Sequence, residues 1–485
     1  MGKTGIDLVN ATIADMSELL RSRKVSPVEL VEATLERIES VGPKLNCFVT
    51  VTGDYALERA KEAEREITSG KYRGPMHGIT YTLKDSLDTK GIRSTHGNPQ
   101  GVDLKPRVSS TLHTYLEDAG AILVGKVNID STVFGSLDRP IEALNPWDTK
   151  LSPGGSSSGP GSATAASLCL SSVGTDGGGS VRHPAANCGI VGFRATTGRI
   201  SRYPQNGPPG TPHSASLPTG STSQAGPMTK TVEDNAIMLQ VIGRYDPKDP
   251  ISINEPPYDY RACLRDGMKG IRVGVPVDDW AWKDWTSEEQ EALVRKAITV
   301  LEDLGAHVSE VSLPLAAESR SAMGGFGGGG VWWLENEHLY QNTDKWEGLQ
   351  MAIESSKSKE EPEALRGYLR TATKRLLIRQ ELGAVLKDVD VIALPTGMTL
   401  GDAGDVLTTN VRGREVHTRS RAIPINALAS ITGYPGLSVP CGFAMGDRLP
   451  VGLQLMGRPL EESLIYRVAY AYEQATEWHL RHPPI

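Results

Sequence analysis

Residues 152–194 read S-P-G-G-S-S-S-G-P-G-S-A-T-A-A-S-L-C-L-S-S-V-G-T-D-G-G-G-S-V-R-H-P-A-A-N-C-G-I-V-G-F-R. By composition alone, a Ser/Gly-rich stretch is a flexible linker. Two features of this one argue against a tether. Its middle, residues 163–170, is apolar and helix-compatible, so the Gly/Ser clusters at 154–159 and 174–180 flank an ordered element. The second cluster runs straight into Val181, Arg182, Pro184 and the apolar residues 188–193, which read as packed structure.

Outward from this stretch, short apolar runs at residues 79–83, 121–125, 389–394 and 436–439 read as buried strands, each followed by loop-forming residues. Ser26-Pro27-Val28-Glu29 opens a helix: serine caps it, proline suits its first position, and Glu29 completes a capping box. Leu30, Val31, Thr34, Leu35 and Ile38 then recur at helical spacing. A second helix is predicted over 287–304, with Val294, Ala297, Ile298, Leu301 and Leu304 as its stripe and Gly305 as its stop. It lies between strand-like runs at 270–276 and 307–314, a β-α-β pattern that implies parallel pairing. The alternation predicts an α/β fold with a largely parallel or mixed sheet, whose site lies beyond the carboxyl ends of strands. Lys84 follows one such run directly. Nothing forces a domain boundary. The expectation is one domain over residues 1–485, with a helical segment at about 12–70 packed on a catalytic core at about 78–202.

Composition narrows the function. The chain of 485 residues is 39% hydrophobic and carries a formal charge of −7 with no block of like charges, so neither nucleic acid nor an anionic membrane surface is an expected partner. Cys47, Cys169, Cys188, Cys263 and Cys441 are scattered, without a C-x-x-C pair, and fit reduced core residues rather than disulfides or a zinc site. No apolar run of signal-peptide or membrane-span length is present, so a cytoplasmic enzyme is expected.

Residues 174–185, G-T-D-G-G-G-S-V-R-H-P-A, resemble the core block of the amidase signature family, G-T/S-D-x-G-G-S-I/V-R-x-P-A. Residues 154–159, G-G-S-S-S-G, match its G-G-S-S-G-G, with Ser158 replacing a glycine, and Ser156 precedes Ser180 by the family spacing. Residues 78–91, G-I-T-Y-T-L-K-D-S-L-D-T-K-G, resemble the family strand that delivers a lysine, and residues 432–443 and 449–454 fit its C-terminal blocks. The resemblance runs from about residue 12 to 460 in several blocks in order. It implies the amidase-signature fold: a central twisted mixed β-sheet covered by helices on both faces.

The resemblance also implies a Ser–Ser–Lys site: Ser180 as nucleophile, Ser156, on a cis peptide, as relay, and Lys84 as base. A serine hydroxyl needs a neighbouring base to attack. A lysine at its ordinary pKa of about 10.4 is protonated, but burial disfavours the charge and brings the base towards use. Gly177, Gly178 and Gly179 are the expected oxyanion-hole residues, since successive glycines can turn backbone N–H groups into a nest. Ser157, Thr175, Asp176 and Arg182 are expected to support the loop. An acyl-enzyme course follows, with no metal and no cofactor.

Rival readings are weaker. A histidine-dependent triad has His96, His113, His183 and His213 to draw on, but no G-x-S-x-G elbow holds a serine in the right context. Residues 120–126 nearly make a phosphate loop, yet Val127 stands where the magnesium hydroxyl belongs, so a strand end is expected. His479 and His482 read as a solvated tail. A glutamine-hydrolysing subunit of a tRNA-dependent amidotransferase, passing ammonia to a partner chain, shares the core and is the alternative. Its F-A-M-G-S-S-T-E stretch is here Val133-Phe134-Gly135-Ser136-Leu137-Asp138, and its G-F-G-x-E-V-x-R-R-I block is absent around 364–375. The main expectation is therefore a hydrolase of small-molecule amides, including aryl amides (an aryl acylamidase) or carbamates (a urethanase). A homo-oligomer is compatible with it. Residues 205–224 and 324–330, with Trp332 and Trp333, are the expected mouth of an open apolar pocket, although paired tryptophans more often belong to a core.

Overall fold

The computed structural model describes residues 5–97, 105–130, 143–204, 222–256, 258–323, 361–397, 408–417 and 423–485. Its helices are α1 (Ile13–Arg21), α2 (Pro27–Leu45), α3 (Gly53–Thr68), α4 (Thr111–Asp118), α5 (Ser158–Ala165), α6 (Arg182–Cys188), α7 (Val232–Ile242), α8 (Asp279–Trp282), α9 (Glu288–Asp303), α10 (Glu361–Asp388), α11 (Pro424–Thr432) and α12 (Glu462–Gln474). The strands are β1 (Phe48–Val51), β2 (Thr80–Lys84), β3 (Ile122–Val127), β4 (Ser171–Asp176), β5 (Val191–Arg194), β6 (Gln224–Thr229), β7 (Arg272–Pro276), β8 (His307–Val311), β9 (Val391–Thr396), β10 (Thr408–Val411), β11 (Arg414–His417), β12 (Gly436–Ala444) and β13 (Leu449–Gly457).

Eleven strands form one mixed sheet, ordered β1-β3-β2-β4-β6-β5-β12-β13-β9-β7-β8, while β10 and β11 pair as a separate hairpin. β3, β2 and β4 run parallel, the strands from β4 through β6, β5, β12 and β13 to β9 alternate, and β9, β7 and β8 are parallel again. Helices flank this sheet, which is the expected α/β architecture.

Local signals explain the helix limits. Ser26 Oγ accepts from Glu29 N at 3.1 Å and Glu29 Oε2 from Ser26 N at 2.8 Å, the reciprocal capping box. Ser287 caps α9, which buries Val294, Ala297, Ile298 and Leu301 and lies between the parallel strands β7 and β8. One apolar cluster joins α2, α3 and α5 to β3 through Val31, Ile38, Ala60, Val124 and Ala163. All five cysteines are free thiols. The phosphate-loop near-match at 120–126 runs into strand β3, which ends at Val127.

One boundary differs. Gln224, the last residue of the expected pocket mouth, opens β6: it is fully buried and paired with Asp176, its side-chain amide donating to the Ala195 carbonyl. Residues 205–221 and 324–330, Trp332, Trp333, His213 and residues 133–138 lie outside the described residues, so the expected pocket mouth does too.

Candidate active site

Lys84 is the last residue of β2, and its side chain is fully buried. Its Nζ donates to Ser156 Oγ at 2.7 Å, Thr175 Oγ1 at 2.8 Å and Ser157 Oγ at 3.1 Å. The parallel pairing of β2 with β4 brings Lys84 and Thr175 together. The Gly155–Ser156 peptide is cis.

Ser157 stitches the two Gly/Ser clusters together. Its Oγ donates to the Thr175 carbonyl and accepts from Thr175 N, both at 3.1 Å, while its own N–H donates to the Ser180 carbonyl at 3.2 Å. This approach is why position 174 is glycine: a Cβ there would lie 2.7 Å from Ser157 Oγ and 2.9 Å from Met228 Sδ.

Asp176 organises the loop that carries Ser180. Fully buried, it accepts from Gly179 N at 2.8 Å, Ser430 Oγ at 3.0 Å, Val181 N at 3.2 Å and, at 3.1 Å each, Nε and Nη2 of Arg182. Arg194 Nη1 stands 3.6 Å away. Burial alone would push this carboxyl up, but the two guanidinium groups and the Gly179 N–H hold it well below the usual carboxylate range. Arg182 reaches further, to the Asn426 carbonyl at 2.8 Å and to Gln454 Oε1. Asp176 and Arg182 thus tie the loop to β4 and α11 through buried hydrogen bonds.

The oxyanion expectation needs one correction. Gly179 N–H is committed to Asp176, and its carbonyl accepts from His183 N at 2.8 Å. Position 179 must be glycine for another reason: φ is +106°, and a Cβ would meet Asn426 Cβ at 2.5 Å. Within residues 177–180, the amides of Gly177, Gly178 and Ser180 meet no acceptor among the described residues.

The predicted relay is half assembled. Lys84 and Ser156 are in contact, and Ser180 is tied by its carbonyl to the residue after Ser156, but no hydrogen bond joins Ser156 Oγ to Ser180 Oγ. Such contacts are often long before substrate binds. The rival histidines are engaged elsewhere: His96 Nε2 with Asp88 Oδ1 at 2.7 Å, and His113 Nδ1 with the Tyr81 hydroxyl at 2.6 Å. His183 packs its ring against Gly397, where a Cβ would lie 2.7 Å from Cδ2. Sequence reasoning missed Arg194, Asn426 and Ser430. No local motif points to them, because their roles arise only when α11 and β5 are brought to the loop. Among the described residues no group of three or more His, Cys, Asp or Glu side chains could hold a metal ion, and no helix is long and apolar enough to cross a membrane.

A family model described as Amidase matches residues 29–465. The chain belongs to the amidase signature family. It is 35% identical to a glutamyl-tRNA(Gln) amidotransferase subunit of Cyanothece sp., over 98% of this amidase and all of that protein. To the subunit of the same name from Moorella thermoacetica it is also 35% identical, over 99% of each chain. Among solved structures, a bacterial aryl acylamidase of the amidase signature family superposes with a TM-score of 0.85 at 26% identity, over 97% of both chains. The corresponding glutamyl-tRNA(Gln) amidotransferase subunit from Thermotoga maritima does so with 0.75 at 27%, over 97% of this chain and 95% of that one. The chain is therefore a hydrolase of amide-type C–N bonds.

Proposed function

We propose that this amidase works through an acyl-enzyme on Ser180, with Lys84 as base and Ser156 as relay. The observation that carries the reading is Lys84 Nζ, sealed from solvent and within 3.1 Å of three hydroxyls. A neutral amine there takes the Ser156 proton while Ser156 takes that of Ser180, once substrate closes the contact between the serines. Ser180 Oγ bonds to the carbonyl carbon, the carbonyl electrons move to oxygen, and the N–H groups of Gly177, Gly178 and Ser180 receive the oxyanion. Each such donor is worth about 3–4 kcal/mol. The returning proton goes to the leaving nitrogen, the C–N bond breaks, and water repeats the sequence to release the acid.

Two substrate readings follow. The relatives at 35% identity are named as amidotransferase subunits end to end, which supports glutamine as the amide and protein chains as partners. A stand-alone hydrolase of aryl amides is supported by the TM-score of 0.85 to the aryl acylamidase, against 0.75 to the Thermotoga protein, while carbamates rest on the sequence resemblance alone. Turnover of glutamine, with and without the partner subunits of such an amidotransferase, is to be compared with that of a chromogenic anilide and an aryl carbamate. Glutamine turnover that rises with the partners selects the first reading; its absence beside anilide or carbamate cleavage selects the second. Ser180→Ala and Lys84→Met should abolish either activity. Full activity in Lys84→Met would sink the proposed chemistry.

A further inference from the structure

Directly behind Lys84 the chain buries a second lysine and a carboxylate that the proposed chemistry does not use. Asp85 and Lys126 are both fully buried, with Lys126 Nζ 3.7 Å from Asp85 Oδ1. Lys126 Nζ also donates to Ser94 Oγ at 2.7 Å, and Asp85 Oδ2 accepts from Thr95 N at 2.7 Å and Thr95 Oγ1 at 2.5 Å. The backbone is pinned at the same point: Asp85 N–H donates to the Val127 carbonyl and Leu87 N–H to that of Lys84, each at 2.9 Å. Lys126 pairs with Leu83 across β2 and β3, whereas Lys84 pairs with Val127. Successive strand side chains point to opposite faces, so the ion pair sits on the face away from the serines.

We propose that Asp85 and Lys126 are positioning residues that fix the end of β2 and, as a mutually neutralised pair, keep Lys84 in a field that lets it act as a base. This rests on the reading of Lys84 as base. Burying two charges costs free energy that their attraction need not return, so stability alone is a weak reason for such a pair. Its effect on Lys84 depends on both members being present. An uncompensated unit charge at about 10 Å, in an effective dielectric of about 20, moves a neighbouring pKa by about one unit. The other charged groups nearby are themselves paired or engaged. Asp88 pairs with His96, Arg93 donates to the Val49 carbonyl at 3.3 Å, and Asp176 is held by Arg182 and Arg194. Asp130, after β3, donates its N–H to the Ser156 carbonyl at 3.1 Å.

The test is the acid limb of the kcat/KM–pH profile on whichever amide the wild type cleaves. Lys126→Met leaves the Asp85 carboxylate, still held by Thr95, and favours the protonated form of Lys84, so the limb should move up by about one pH unit. Asp85→Asn leaves the cation and should move it the other way, and the double variant should return it towards wild type. If Lys126→Met does not fold, Asp85→Asn carries the same test with opposite sign. Activity losses that are uniform across pH, with the limb unmoved in the variants that fold, overturn the inference. Lys84→Met separates the two claims. Activity surviving there defeats the reading of Lys84 as base, whereas an unmoved limb in an enzyme that needs Lys84 defeats only the role of the pair.

Discussion

Asp176→Asn is the sharpest test of how the loop carrying Ser180 is held. The substitution keeps the shape and one acceptor oxygen but removes the charge that faces two buried guanidinium groups. Arg182 and Arg194 are both fully buried, so neither can turn to water for compensation. Removing one partner of a buried ion pair costs ~3–5 kcal/mol, chiefly because the remaining charge is left buried. Whole-protein stabilities are only about 5–15 kcal/mol, so the loss should be plain in urea unfolding followed by tryptophan fluorescence. The pH dependence has a definite sign. The Asp176 carboxyl is depressed in the folded chain, so its contribution is fully present above the unfolded value of 3.8 and is lost only as pH falls through the lower folded value. The gap between wild type and variant should therefore stay constant from pH 6 to 8. The loop should also loosen, because Gly179 N–H loses its charged acceptor, and a misplacement of about 1 Å at Ser180, the proposed nucleophile, costs roughly 100-fold in rate. Stability within about 0.5 kcal/mol of wild type together with an unchanged kcat would refute the argument.

Three further outcomes follow from the same structure. Gly174→Ala puts a methyl 2.7 Å from Ser157 Oγ, so it should lower kcat more than it raises KM and destabilise by ~1–3 kcal/mol; steady-state kinetics with wild-type values would count against the stitch at Ser157. Burial pushes Glu473 up to about 8 from 4.5, so the folded chain binds this proton more tightly than the unfolded one. Stability should thus fall as pH rises between those values and level off above them, and Glu473→Gln should flatten that slope in urea midpoints taken from pH 5 to 9; an identical slope would contradict it. Ser26→Ala removes one half of a capping box and should cost ~1 kcal/mol with kcat unchanged, by the same unfolding assay.

Why some of this was legible in sequence and some was not comes down to what each element buries. α2 and α9 announce themselves because an apolar stripe and a serine cap are local facts, and the parallel β7 and β8 follow from what lies between them. β4 gives no such signal. Its sequence, S-S-V-G-T-D, offers no apolar alternation, yet it lies at the heart of the sheet. One of its hydroxyls is matched by two others: Ser172 Oγ lies 2.6 Å from Thr82 Oγ1 and 2.7 Å from Thr164 Oγ1. Buried polar groups are tolerated when each finds a partner, and that pairing between β2, β4 and α5 is invisible to any periodicity along one of them. The same holds at the site. Lys84, Ser156 and Ser180 could be named from motifs, but the Gly179 amide could not be known to be taken by Asp176, nor Asp176 to be held by Ser430 from 254 positions away. A core of matched hydroxyls also bears on the chemistry. It surrounds Lys84 with partners that hydrogen-bond an amine without fixing its charge, which is the environment a lysine needs if it is to give up and regain a proton in each cycle.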